Sequence, residues 1–374
     1  MRTRLRGFPA RLLLLVALAL AIRWVAVFAH YGDLPLGLDD NYGYHKQAEL
    51  LLDHGGFFEA FEYKDSLERQ AELLTLLRQQ PDGTLSAEEL REEGPFYAQV
   101  PEERYEEALT GDVEGLQRVD VPISESGEGI RLDREADEGR TYDLDQAGAL
   151  EPSAGHPPGY VAWLAAFGAV GLDSPTANRL VSGVAGAIAV GLAGLAARWV
   201  GRRAGLKEGV ADRAGLLAAS FAAIYPNLWI NDALILSESL YAALTGLVIL
   251  AAYRFWNTPT GANAALLGGA CGIATLTRSE GLLWLPFLVL PLAVMLRNQT
   301  WRRRLTLAVG AGLVALALMA PWMIRNVATF EEPAPPFLAT GSGRVLAFGN
   351  CDLTYSGRFL GYWNIGCAPA EFSG

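Results

Sequence analysis

Four places in the chain bring ionisable or polar side chains to the edge of an apolar run. They hold Asp39 and Asp40, then Asp232 and Glu238, then Arg278 and Glu280, then Arg325 and Asn326. Such groups are costly near a bilayer and mark function by default. A carboxylate near arginines suits a reaction in which an anionic phosphate leaves while a hydroxyl attacks. The carboxylate takes the hydroxyl proton as general base. Guanidinium groups hold the phosphate through paired hydrogen bonds and stabilise the charge that develops on it. A phosphate leaving group needs little or no protonation, so one carboxylate suffices. For each residue alone the plain reading is a snorkelling or helix-capping side chain. Four clusters on one membrane face favour a shared polar cavity. Other chemistries lack their signatures: there is no P-loop, no GxSxG, no HExxH, and histidine is limited to His30, His45, His54 and His156. Nucleotide cofactors are not indicated.

The elements that position these residues are apolar runs of roughly membrane-spanning length, about 20 residues each. They fall at 12–30, 176–197, 213–230, 234–254, 262–277, 281–296 and 305–324. Basic residues gather in the N-terminal segment, at Arg198–Arg213 and at Arg297–Arg304. The positive-inside rule puts all three clusters on the cytoplasmic side. The expectation is an all-α polytopic membrane protein of about seven transmembrane helices, with its N-terminus inside. Gly159–Leu172 is apolar but has only 14 residues. It reads as a re-entrant or interfacial helix, and the His156-Pro157-Pro158-Gly159 turn precedes it.

Charge separates the chain into two kinds of sequence. Between Tyr31 and Gly155 there are 31 acidic and 10 basic residues, a net charge of −21, whereas the remainder carries +10. Apolar types make up 51% of the whole, too many for a disordered chain and high for an ordinary soluble one. The composition excludes a nucleic-acid binder and a disulfide mini-protein, and favours a membrane protein with a large acidic extracytoplasmic first loop. Asn41–His54 reads as an amphipathic helix with Tyr44, Ala48 and Leu51 on one face, stopped by Gly55-Gly56. Residues 59–150 read as a solvated, helical, partly mobile insertion. Cys271 lies in an apolar run and packs as a small hydrophobe. Cys351 and Cys367 lie in a polar tail, where an extracytoplasmic location allows a disulfide. The divisions are 1–30 (cytoplasmic N-terminus and first span), 31–58 (acidic motif and interfacial helix), 59–150 (acidic insertion), 151–325 (re-entrant segment and later spans) and 326–374 (start of a C-terminal region).

Six ordered pieces resemble a known family. They are Leu38-Asp39-Asp40-Asn41-Tyr42-Gly43-Tyr44-His45, Ala48-Glu49-Leu50-Leu51 to Phe57, His156-Pro157-Pro158-Gly159-Tyr160, Ser237-Glu238-Ser239-Leu240, Thr277-Arg278-Ser279-Glu280-Gly281 and Ala320-Pro321-Trp322-Met323-Ile324-Arg325-Asn326. Together they resemble the GT-C fold glycosyltransferases of the protein-mannosyltransferase and aminoarabinose-transferase type, glycosyltransferase family 39. The resemblance implies a polyprenyl-phosphate sugar donor and an inverting transfer on the extracytoplasmic face. The acceptor hydroxyl would belong to a glycan, a lipid or a protein. It implies that Asp40 is the base, with Tyr44 four residues on; Asp39 is the competing assignment. Where the family commonly has Glu after this Asp, this chain has Asn41. Glu238 matches the second membrane-edge acid, with Asp232 nearby. Arg278 and Arg325 are the phosphate candidates by their chemistry. Tyr44, His45, His156, Tyr160 and Glu280 complete the candidate substrate-binding set. A divalent metal ion is the one cofactor left open. Family members usually have more spans and a C-terminal domain, so the expectation is a C-terminally truncated chain.

Each residue also has a plainer role. His45 and His156 equally suit hydrogen-bonded structural histidines. Tyr160 and Trp322 are sugar or isoprenoid contacts, or interfacial anchors. Two other function classes remain beside the transferase. A transporter fits buried charges and broken helices. A partner-binding membrane protein would work through its acidic ectodomain and dispense with Asp40.

Overall fold

The computed structural model describes residues 7–32, 36, 40–58, 60, 84–86, 129–131, 152–330, 337–340, 348–356 and 360–361. Asp39, Cys367, the first six residues and nearly all of the 59–150 insertion lie outside them. The chain divides into two compact units. One comprises Met1–Leu34, Tyr44–Phe57 and His156–Leu338, and the other comprises Pro35–Gly43, Phe58–Gly155 and Ala339–Gly374.

Among the described residues of the first unit, every regular element is a helix. Helix α1 (Phe8–Ala26) continues as a π-helical turn to Tyr31. Helix α2 (Asp40–His54) enters this unit at Tyr44. It stops at Gly55, whose φ of 70° belongs to the left-handed region that glycine adopts without penalty. Tyr44 and Ala48 are buried on it as expected, with Leu50 rather than Leu51 beside them. Then follow α3 (Pro158–Gly168), α4 (Pro175–Arg203), α5 (Glu208–Ile224), α6 (Pro226–Ala233), α7 (Glu238–Asn257) and α8 (Gly261–Thr277). A composite helix runs from Ser279 to Met295, passing through 3-10 and π geometry into α9 (Leu290–Met295). Helix α10 (Trp301–Thr329) closes the unit. Side-chain caps start three of these helices: Ser174 accepts from Ala177 N at 3.2 Å, Thr260 from Asn263 N at 3.3 Å and Thr300 from Arg303 N at 3.4 Å.

Among the described residues four helices are long and apolar enough to cross a membrane: Phe8–Tyr31, Pro175–Arg203, Glu238–Asn257 and Trp301–Thr329. Gly261–Thr277 and Ser279–Met295 are apolar but shorter. The 213–230 run is not one helix. Pro226 has no N–H to give the preceding turn, so the chain breaks there and restarts as α6 with proline in its first turn. Helix α3 has 11 residues, well short of a crossing.

Small residues set the helix spacing. Hydrocarbon chains are as apolar as leucine, so helices in a bilayer associate through close backbone approach and polar contacts. A Cβ on Gly268 would stand 2.0 Å from the Ala311 carbonyl oxygen, and one on Gly272 would stand 3.0 Å from that of Ala315. The pairing advances in the same sense on both chains, so α8 and α10 run parallel. The composite helix between them therefore returns the chain. Gly194 meets Gly215 in the same way, and Gly201 meets Ala211, which makes α4 and α5 antiparallel. One buried cluster holds Val248, Phe255, Leu267, Cys271, Val289, Leu307 and Ala311. Another holds Phe8, Leu12, Ala19, Val190, Ala219 and Ala223.

In the second unit, strands β1 (Thr84–Ser86) and β2 (Gly129–Arg131) pair antiparallel, with Leu85 opposite Ile130. The acidic insertion thus contains a short β-ribbon, which the all-α expectation did not include. Phe58 bridges Pro152, and Thr340 N donates to Ala154 O at 2.7 Å. Helix α11 (Asp352–Tyr355) follows Cys351, which is disulfide-bonded. Cys271 is free and buried.

The Gly268 contact is with backbone, which cannot swing aside. Gly268→Ala should therefore cost at least the 1–3 kcal/mol typical of overpacking. Gly310, on α10, has nothing within 4 Å of a built Cβ. Gly310→Ala should be neutral, or stabilising by up to about 1 kcal/mol. Thermal unfolding of the two variants in detergent checks this contrast.

Candidate functional site

The turn between α6 and α7 positions the acids at residues 232 and 238. Leu234 closes α6, and Ile235 then adopts φ 53° while fully buried. A β-branched residue in that region is strained by about 1–3 kcal/mol and needs its surroundings to hold it. The turn sends Asp232 one way and Ser237 with Glu238 another.

Asp232 points inward. Its Oδ2 accepts from Arg23 Nε at 2.6 Å, and both side chains are 1% exposed. Arg23 also donates to the Ala19 carbonyl at 3.1 Å. Gly186 of α4 leaves the room this pair occupies, since a Cβ there would stand 2.6 Å from Arg23 Nε and nearer still to Asp232. The structure thus takes Asp232 away from any open cavity. The residue that sequence reasoning missed is Arg23. Its signal was present, as a lone cation inside an otherwise apolar run.

Ser237 and Glu238 join the other candidates. The fully buried Ser237 hydroxyl receives a hydrogen bond from the Tyr44 hydroxyl at 3.1 Å and one from Arg278 Nη1 at 3.3 Å. It donates to Glu238 Oε2 at 3.5 Å. Arg278 Nη1 also donates to Glu238 Oε1. Arg278 Nη2 reaches Glu280 Oε1 at 2.9 Å. One guanidinium thus lies between two carboxylates, and the trio carries a net charge of −1. Arg278, Glu238 and Glu280 are 30%, 42% and 56% exposed, so all three can be reached from outside. Ser237 is the centre of this network, and its role could not be read without the tertiary contacts.

The Tyr44 ring carries the network to α3. It lies 4.4 Å from the His156 ring and meets Tyr160 edge-on at 4.9 Å. Tyr160 is fully buried, and its hydroxyl lies 2.6 Å from Ser182 Oγ. Gly159, which starts this helix, sits so close to α8 that a Cβ would stand 2.7 Å from the Leu276 carbonyl. The His156–Tyr160 turn therefore docks where α8 ends and Arg278 begins. His45 is a structural histidine here. Its Nδ1 lies 2.7 Å from Asn178 Nδ2, and its Nε2 lies 3.2 Å from Glu49 Oε1.

Arg325 is anchored differently. It donates to the Phe57 carbonyl at 2.8 Å and to Asn326 Oδ1 at 3.0 Å, and its guanidinium lies 5.0 Å from the Trp322 ring centre. Trp322 meets Phe57 edge-on and donates to Leu338 O at 2.7 Å. Asp40 is exposed at the start of α2, and Asp39 lies outside the described residues. Among the described residues no group of three or more His, Cys, Asp or Glu could hold a metal ion. With Glu238 and Glu280 both engaged by Arg278, this site does not fit a divalent cation. A recess of about 440 Å³ at the α5–α6 break is lined by Phe221, Ala222, Ile224, Tyr225, Pro226 and Leu228. Its walls suit a hydrocarbon chain.

No family model matches the chain, and no curated protein or solved structure matches it either.

Two measurements test these assignments. Removing one member of a buried ion pair leaves an uncompensated charge, which costs about 3–5 kcal/mol, whereas replacing both by apolar groups is often near neutral. Asp232→Leu should therefore lower the melting temperature sharply, and Arg23→Met with Asp232→Leu should recover most of the loss. Glu49 supplies a pH test. Burial pushes its carboxyl up, but the hydrogen bond and charge of His45 and those of Lys46 outweigh it, so it titrates below its usual 4.5. A depressed folded-state value contributes stability above the unfolded value, and that stability is lost as pH falls through the folded one. Glu49→Gln should remove part of the loss of stability seen as pH falls below about 4.5.

Proposed function

We propose that this chain is a membrane glycosyltransferase that moves a sugar from a polyprenyl-phosphate donor to an acceptor hydroxyl, with inversion. The observation that carries the reading is the Tyr44–Ser237–Glu238–Arg278–Glu280 network. It joins the helix that begins with Asp40 to an exposed arginine between two acids. In this reading α5 with α6, α8 and the composite helix complete seven crossings with the four long helices. The N-terminus is cytoplasmic, and the site faces the extracytoplasmic side of the cell membrane. The parallel course of α8 and α10 supports the return crossing between them.

Asp40 takes the proton of the acceptor hydroxyl. The hydroxyl oxygen bonds to the anomeric carbon as the bond from that carbon to the phosphate oxygen breaks, and the electron pair leaves on the polyprenyl phosphate. Arg278 and Arg325 hold the phosphate. Because Arg278 already meets Glu238 and Glu280, an incoming phosphate would exchange with one of these carboxylates. The donor is then held only when it brings its own negative charge. The apolar recess at the α5–α6 break offers a place for the isoprenoid chain. No step is routed through a metal. The buried Arg23–Asp232 pair favours a transporter as the second reading, since paired intramembrane charges also mark transport pathways.

Purified protein should release sugar from labelled polyprenyl-phosphate sugars. Asp40→Asn should reduce that release by about 10²–10⁴-fold, the usual contribution of a general base. Equal release by the variant would reject Asp40 as the base. Failure of the folded full-length protein to act on any donor, with counterflow of a labelled solute in proteoliposomes, would replace the transferase by the transporter.

A further inference from the structure

Two loops concentrate arginine, and they treat it differently. Around the α4–α5 loop three of the five basic side chains, Arg198, Arg202 and Arg203, are engaged within the chain. Arg198 Nε meets Asp212 at 2.6 Å, Arg202 pairs with Glu208, and Arg203 bonds Asn257 Oδ1 at 2.5 Å while its guanidinium lies 4.4 Å over the Trp256 ring. Between α9 and α10 most are not. Arg304 alone is used internally, donating to Gln299 O at 3.0 Å and to Val294 O at 2.8 Å. Arg297, Arg302 and Arg303 are exposed, and among the described residues their side chains make no hydrogen bond or ion pair. The sequence contains no Asp or Glu from Gly281 to Phe330 that could supply one.

The surroundings of these cations are apolar. Trp301 is 65% exposed between Thr300 and Arg302, and Val294, Met295, Leu305 and Val309 are exposed around it. Like charges this close repel, and the positive end of the α10 dipole makes their position worse. A partner must therefore bring negative charge to the guanidiniums and hydrocarbon to the collar beneath them. An indole at the junction is the usual anchor at such a boundary. Inorganic phosphate would satisfy the first demand and leave the second unmet.

We propose that Arg297, Arg302 and Arg303, with Trp301, form a binding site for the phosphodiester headgroup of an anionic phospholipid. The acyl chains lie along Val294, Met295, Leu305 and Val309. The α4–α5 loop, though comparably basic, has spent much of its charge on Glu208 and Asp212 and is a weaker site.

Native mass spectrometry of the detergent-purified full chain, titrated with phosphatidylglycerol or phosphatidylcholine, tests this. Phosphatidylglycerol should be retained in preference. Arg302→Gln with Arg303→Gln should weaken its retention roughly 30-fold at low salt, from about fivefold for each cation at a lipid surface. Lys207→Gln with Arg213→Gln, in the other loop, should leave retention close to wild type. Arg297→Gln alone should give about a fivefold loss, and it serves if the double variant does not fold. Equal retention of the two lipids, or unchanged retention in Arg302→Gln/Arg303→Gln, would overturn the site. Displacement of the lipid by inorganic phosphate would also overturn it, by making this a free-anion site. None of these readouts depends on transferase activity.

Discussion

The Arg23–Asp232 pair governs how the first unit can be assembled. A full positive and a full negative charge, each shielded from solvent, must find each other or unfold the site around them. Three elements answer to this demand. Helix α1 brings the arginine, α6 brings the aspartate, and Gly186 on α4 gives up its side chain to make room. The break that Pro226 imposes between α5 and α6 serves the same pairing. A continuous helix would carry residue 232 onward along the axis of α5, whereas the broken one turns it toward α1.

The exposed network rests on that interior. Ser237 and Glu238 begin where the strained turn at Ile235 ends, five and six residues after the aspartate. A turn that costs energy persists only where its neighbours over-determine it. Asp232 on one side, fixed by Arg23, and Ser237 on the other, fixed by Tyr44 and Arg278, supply that determination. The site therefore gains its order from both directions. A buried electrostatic contact sets one end of the turn, and a hydroxyl with three partners sets the other.

Much of this was legible in the sequence. Every apolar run became helical, because length and hydrophobicity fix that choice in either solvent or lipid. The membrane-edge residues stood out, since a charge beside a long apolar run is rare enough to be a signal. Tyr44, His156, Tyr160, Glu238, Arg278 and Glu280 do meet. The sequence was less informative where the outcome depended on partners far along the chain. Asp232 and Glu238 looked alike, but only Arg23, 209 residues away from Asp232, distinguishes them. His45 looked like a ligand candidate until Asn178 took its ring nitrogen. Pro226 was a readable break inside an otherwise plausible span. The centrality of Ser237 had no sequence signal, as a single hydroxyl beside an acid is commonplace.

The seam of Gly268 and Gly272 against Ala311 and Ala315 reaches beyond stability. Helix α8 ends at Arg278, and α10 carries Arg325 toward its own end. Two rods in backbone contact cannot slide or roll past one another without rupture. The backbones that carry Arg278 and Arg325 are therefore held like the legs of a caliper set at one opening. In the proposed reading, a phosphate held by both arginines would meet a setting fixed by the helix seam. Discrimination by headgroup length would then be built into the helix packing itself, far from any residue that touches the ligand.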